Sequence, residues 1–377
     1  MVVEIRDITQ AYTQAKTKLQ RIIIVNLPKE MRGKYPLDSL LLVEGALYGI
    51  PKASVHWFGT YHEYYKVKID METSMYDPCL LMIKLGAKSF GLVDMQTNNI
   101  LIIAIEKFAR DEERALQEVR FKAKPKTQLS QDTPLEFNGI EPVGTIDRAQ
   151  KYIEQQARGA YLASICQPEA SYDLAITAQL QEKDRFKDDY LALNKRLIWQ
   201  AENPERGLRF IPLDLTKAKI MIFTDESFTN NQDLTSQIGF LIAMVNEDFS
   251  EEGHFIATGN IIHWTSSKCK RVTRSVLALE IYGLTTGFDY GITLVSTIKM
   301  IMDRLNLPTI PVVVYTNSYS LYECLVKLGT TKEKRLMIDL MVLRQSYEKR
   351  EIDEIRWIHG DNNPADAFTK ANLNGAL

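Results

Sequence analysis

The sequence predicts an α+β fold that passes into an α/β arrangement, and three observations predict it. Residues 1 to about 105 alternate short apolar, β-branched runs around one amphipathic helical stretch. Beyond residue 207, three consecutive strand-like runs precede alternating helical and strand-like segments, the pattern of a mixed sheet covered by helices. Between these parts, Gln200-Ala-Glu-Asn-Pro-Glu-Arg-Gly207 combines Pro, Gly and charge with little apolar content, which marks a domain boundary.

In chain order, strands are expected at Val2–Ile8, Arg21–Leu27 and Leu40–Val43, then a helix over Ala53–Lys66 and a strand at Leu80–Lys84. In Ser89–Ala104 two apolar runs flank Asp94-Met-Gln-Thr-Asn-Asn99, as in a β-hairpin with a polar tip. A charged helical stretch runs from Glu106 towards Lys126, followed by a polar loop through Thr133-Pro134 to Gly144. Helices are expected over Asp147–Ser164 and Tyr172–Trp199. In the second part the expected strands are Lys219–Thr224, Gln237–Met244, Gly259–Trp264, Pro311–Thr316 and Glu354–His359. Its expected helices are Ser275–Thr297, Ser318–Leu328 and Lys334–Arg350.

A 377-residue chain with 45% hydrophobic residues exceeds one ordinary domain and can bury ordinary cores. The formal charge of −2 excludes a global basic field, so any nucleic-acid site must be a local patch. Four scattered cysteines and five histidines complete no zinc spacing, which reads as a reduced intracellular protein, cytoplasmic or nuclear, without disulfides. The N-terminus lacks the features of a signal peptide, and the longest apolar run, Ile100 to Ile105, is far too short to span a bilayer. No membrane partner is expected.

Phosphoryl transfer on nucleic acids commonly uses two divalent metals held by three or four converging carboxylates. The second part offers Asp225 directly after an apolar strand, Glu280 within a helix, and Asp366 near the C-terminus, while the strand Val312–Thr316 ends on Asn317. The strings Phe223-Thr-Asp225-Glu-Ser-Phe228, Ile261-Ile-His-Trp-Thr-Ser-Ser-Lys-Cys-Lys270, Arg274-Ser-Val-Leu-Ala-Leu-Glu280-Ile-Tyr282, Tyr315-Thr-Asn317-Ser318 and Pro364-Ala-Asp366-Ala-Phe-Thr-Lys370 occur in that order. Together they resemble the RNase H domain of copia-type LTR retrotransposons, fungal ones in particular. The resemblance spans roughly Gly207 to Lys370 and implies that Asp225, Glu280, Asn317 and Asp366 occupy four Mg²⁺-ligand positions. The third departs from the family's Asp.

Arg6-Asp7-Ile-Thr-Gln-Ala-Tyr12 resembles the first metal-binding motif of a copia-type reverse transcriptase palm, and Val43 to Trp57 and Tyr76-Asp-Pro-Cys-Leu80 resemble later blocks. Gly159 to Leu174 resembles a connecting, thumb-like region. The resemblance therefore implies a truncated palm over about 1–105, without the fingers that normally precede it, connecting helices over about 106–200, and an RNase H-like domain over 207–377, all from a Pol polyprotein. It places Asn98 and Asn99 where the polymerase keeps paired aspartates beside Asp7. Each Asp-to-Asn change is one G-to-A step in the genetic code.

Asn keeps a carbonyl oxygen but loses the charge that offsets dehydration of Mg²⁺. Each lost carboxylate–metal pairing forgoes on the order of several kcal/mol at about 4 Å and an effective dielectric near 20. Polymerase activity is thus expected to be absent, Asp7 alone being an inadequate metal site, whereas Asp225, Glu280 and Asp366 retain weak metal binding and severely impaired RNase H action. Expected partners are an RNA–DNA hybrid or other nucleic acid, and other retroelement proteins. The basic run containing Lys268, Lys270, Arg271 and Arg274 reads either as a phosphate contact or as a solvated loop. Arg120 to Lys126 reads as a solvated helix end. A protein that binds nucleic acid or a partner without chemistry is the alternative to an enzyme remnant.

Overall fold

The computed structural model describes all residues except 32, 37, 76, 131–148, 180–186, 230, 232–234, 250–254, 328–333 and 371–377. The loop expected from Thr133-Pro134 to Gly144, and Tyr76 of the third palm-like string, lie outside the described residues. The chain divides into two compact units, Met1–Gly139 and Ile140–Leu377.

In the first unit, β1 (Val2–Asp7), β4 (Met71–Thr73), β5 (Leu80–Ile83), β6 (Gly91–Gln96), β7 (Asn99–Ala104) and β8 (Thr127–Gln128) form an antiparallel sheet in the order β4-β5-β6-β7-β1-β8. A separate ribbon pairs β2 (Ile23–Asn26) with β3 (Leu40–Val43). The expected hairpin is β6–β7. Its strands reach further into the polar stretch than the apolar runs suggest, so that only Thr97 and Asn98 turn the chain, Thr97 at a left-handed φ of 56°. Alternate residues Val93, Met95, Ile100 and Ile102 face a core filled by Trp57, Tyr61, Tyr64 and Tyr65 from α1 (Ala53–Lys68) and by Phe108 and Leu116 from α2 (Glu106–Val119).

Within that core, Glu112 of α2 is 0% exposed, accepting from Arg6 Nη2 at 2.9 Å and from the Tyr65 hydroxyl at 3.1 Å, with Lys126 Nζ 3.0 Å away. The segment read as a solvated helix end is therefore corrected: Lys126 is held beside Glu112 and Glu4, its side chain 9% exposed. Buried carboxylates create a demand for cations that the run's own composition does not show.

The second unit is built on a five-stranded sheet ordered β11-β10-β9-β12-β13. The antiparallel meander β9 (Ala218–Ser227), β10 (Gln237–Phe249) and β11 (Phe255–Lys268) is extended by β12 (Val312–Thr316) and β13 (Glu354–Trp357), which run parallel to β9. This is the mixed sheet of an RNase H-like fold. Central β9 is buried on both faces, which explains its nearly continuous apolar sequence. Ile220 and Ile222 face α6 (Val276–Arg304), α7 (Tyr319–Val326) and α8 (Leu336–Glu348); Met221 and Phe223 face a second core with Trp264, Tyr315 and Phe368. Ser275 caps α6, its hydroxyl accepting from the Ala278 amide at 3.3 Å.

The units divide ahead of the boundary expected at 200–207. Helices α3 (Ala149–Ile165), α4 (Ser171–Gln179) and α5 (Lys187–Glu202) belong to the second compact unit, because Tyr152, Ala163, Leu174 and Leu193 form a small core and Trp264 of β11 donates its indole N–H to Ala163 O at 2.9 Å. The single helix expected over Tyr172–Trp199 is described as α4 and α5, with residues 180–186 outside the description. Among the described residues no helix is long and apolar enough to cross a membrane, and the four cysteines are free thiols.

Candidate nuclease and polymerase sites

Strand alternation decides where the two acids at the end of β9 go. Asp225 continues the face of Met221 and Phe223, and its carboxylate takes the Thr369 hydroxyl on one oxygen and Asn317 Nδ2 at 2.6 Å on the other. Glu226 continues the face of Ile222, towards α6. There Gly283 is needed for close approach, since a Cβ at that position would lie 1.4 Å from Glu226 Oε1. Asn317 follows β12, the parallel neighbour of β9. Asn363 anchors the last loop by donating from Nδ2 to Thr224 O at 2.8 Å, and the short 3-10 turn Pro364–Phe368 then carries Asp366 in.

The structure thus brings Asp225, Asn317 and Asp366 to one end of the sheet, with Glu280 reaching it from the first turns of α6. Lys370, four residues beyond Asp366, contacts Asp366 Oδ1 and lies 3.8 Å from Asp225 Oδ2. Asp225 is 1% exposed, and burial pushes its carboxyl above the usual range against the opposing pull of Thr369, Lys370 and Asn317. Burial also raises Glu280. Glu226, 9% exposed, is raised further by burial and by the charge of Glu280. Two such carboxyls share a proton rather than both ionising.

Glu226, Thr369 and Lys370 are site residues that the sequence reading assigned no role. The signal available for Glu226 was an acid directly after Asp225 inside a strand that is otherwise apolar. Replacing Glu226 by Gln is expected to raise stability at neutral pH. A raised carboxyl is protonated in the fold and ionised in the unfolded chain, so its contribution falls as pH rises from the ordinary carboxylate range to its raised value. The gain from Gln should therefore vanish in acid, and denaturant melts at pH 7 and pH 3.5 check it; equal stability at pH 7 contradicts the assignment.

In the first unit, Asp7 ends β1 opposite Asn99 of β7, and the hairpin turn places Asn98 Nδ2 3.0 Å from Asp7 Oδ1. Lys124 Nζ stands 2.6 Å from Asp7 Oδ2, and its hydrogen bond, with that of Asn98, holds the carboxyl below its ordinary value. All three expected polymerase positions therefore meet.

The family resemblance implies Mg²⁺ at both centres, and the side chains do not fit it as they stand. The Asp225 and Asp7 oxygens are engaged by N–H and O–H donors, which turn towards a carboxylate and not towards a cation. Among the described residues no three His, Cys, Asp or Glu side chains are grouped to hold a metal ion. The buried oxygens Glu280 Oε2 and Asn317 Oδ1 lack hydrogen-bond partners, and Glu280 already lies in the field of the Lys370 ammonium.

The basic run leaves β11 and leads into α6. Cys269 is buried against Ile238 and Leu279, next to the Glu226–Glu280 pair, while Lys270, Arg271 and Arg274 are exposed. Arg271 lies over the Tyr282 ring, 4.7 Å from its centroid. Lys268, partly buried, closes the strand. The four basic residues thus border the acidic end of the sheet.

No family model and no curated protein matches the chain. Among solved structures it is similar to LC11-RNase H1 in complex with an RNA/DNA hybrid, at 21% identity over 40% of this chain and 94% of that one, TM-score 0.27. The N-terminal RNase H domain of rv2228c from Mycobacterium tuberculosis aligns at 17% identity over 40% of this chain and 91% of the other, TM-score 0.26. A foamy viral protease-reverse transcriptase in complex with an RNA/DNA hybrid aligns at 8% identity over 99% of this chain and 46% of its own length, TM-score 0.48. The fold class itself follows from the strand order and register of the two sheets.

Proposed function

We propose that this chain derives from a copia-type Pol polyprotein, that its DNA polymerase centre is silent, and that its RNase H centre is severely impaired. The observation that carries this reading is the meeting of Asp225, Asn317 and Asp366 at one end of an RNase H-like sheet, with an amide and an ammonium engaging the carboxylates. Substrates of the inherited activities are RNA–DNA hybrids, and the inherited metal is Mg²⁺. An intracellular setting, cytoplasmic or nuclear, and association with other retroelement proteins belong to the same reading.

The exposed Lys270, Arg271 and Arg274 beside that centre favour a second reading, in which the protein binds hybrid without cleaving it. Titrating a labelled hybrid in EDTA separates the two. Submicromolar binding that weakens steeply with salt supports retention as a binder, and replacing the three basic residues by Gln should then flatten the log–log salt slope by up to about 3. Absence of binding at low salt supports decay, and salt-insensitive binding removes the basic loop from the account.

A further inference from the structure

We propose that the Lys370 ammonium is a resident cation in the second unit, standing in for a divalent ion between Asp225 and Asp366 and keeping that pair closed without metal. Its nitrogen contacts Asp366 Oδ1 and lies 3.8 Å from Asp225 Oδ2, and the Glu280 charge also acts on it.

The same construction recurs in the first unit. There Lys124 Nζ sits 2.6 Å from Asp7 Oδ2 and Asn98 Nδ2 sits 3.0 Å from Asp7 Oδ1. In both units an asparagine amide donates to an aspartate and a lysine ammonium stands within 4 Å of that same carboxylate, in the second unit while bonding to Asp366. The pattern recurs on two unrelated sheets: asparagine lowers the negative charge, and lysine offsets part of what remains. A cation tied to the chain four residues from its partner is present at high effective concentration, and its desolvation is part of folding and not of a separate binding step.

This proposal holds whether or not the chain binds hybrid, so its test uses the full chain without nucleic acid. Melting is followed in millimolar Mg²⁺ or Mn²⁺ against NaCl of matched ionic strength, with bound Mn²⁺ read by electron paramagnetic resonance. Wild type is expected to melt unchanged and to bind Mn²⁺ only weakly. Lys370→Gln is expected to bind Mn²⁺ at least about tenfold more tightly and to melt higher with it. Lys370→Arg, which keeps the charge, should stay indifferent to metal. Lys124→Gln, where Asp7 is the only expected ligand still charged, should gain nothing. Wild type binding Mn²⁺ as tightly as Lys370→Gln, or Lys370→Arg gaining as much as Lys370→Gln, overturns the proposal. If Lys370→Gln does not fold, wild-type melting decides alone: a metal-dependent rise refutes the resident cation and indifference upholds it.

Discussion

Asn317→Asp is expected to make the second unit less stable in EDTA by roughly 2–4 kcal/mol and to make that loss recoverable with Mg²⁺ or Mn²⁺. In the wild type, Asn317 Nδ2 donates to Asp225 Oδ1 at 2.6 Å, and Asp225 is buried. The substitution replaces a donor by a second carboxylate at hydrogen-bond distance, so one of the two must hold a proton or a cation must come between them. A divalent ion meets that demand if it displaces Lys370, and that competition is the reason metal should become stabilising in this variant while leaving the wild type unchanged. Amide hydrogen exchange of β9 and β12, with and without metal, measures the effect locally. Unchanged protection in EDTA would show that Asn317 and Asp225 are not coupled.

Glu112→Ala is the substitution expected to damage the first unit most, by about 3–5 kcal/mol. Glu112 accepts from Arg6, which is 1% exposed, and from Tyr65, and it pairs with Lys126. Truncation leaves two buried cations with less than their compensating charge, although Glu113 still reaches Arg6 at 2.5 Å and Glu4 reaches Lys126 at 3.1 Å. Glu112→Gln, which keeps the shape and part of the hydrogen bonding, should cost less. Exchange of the β1 and α2 amides reports the loss without requiring the two units to unfold together; a loss below about 1 kcal/mol removes this network from the account of the fold.

The β9, β12 and β13 runs, the β6–β7 hairpin and α6 were legible because their apolar periodicity is local. Asp225 and Asn317 were singled out because each follows an apolar run, and Asp366 through the resemblance of Pro364 to Lys370 to a family string. The partners were not. Lys124 and Asp7 are 117 residues apart, and Lys124 sits in a basic run whose composition is also that of a solvated surface. Lys370 lay inside a quoted motif, yet nothing in the linear pattern shows that its ammonium meets Asp366. Glu226 was overlooked beside Asp225 because strand alternation sends it to the other face, where only the packed position of Gly283 and Glu280 on α6 shows what it meets. Pro and Gly punctuate the chain at 200–207, while the contact of Ala163 with Trp264 groups the preceding helices with the second sheet, a long-range pairing that local composition does not show.

The central claim is that Asn317 and its neighbours have shut the RNase H centre. The most direct measurement compares wild type and Asn317→Asp on one RNA–DNA hybrid, in Mg²⁺, at enzyme concentrations where both are folded and in excess. The account predicts wild-type cleavage at about one hundredth or less of the rate of the variant, the fraction expected when a ligand worth several kcal/mol is missing. Wild-type cleavage as fast as that of the variant would contradict it.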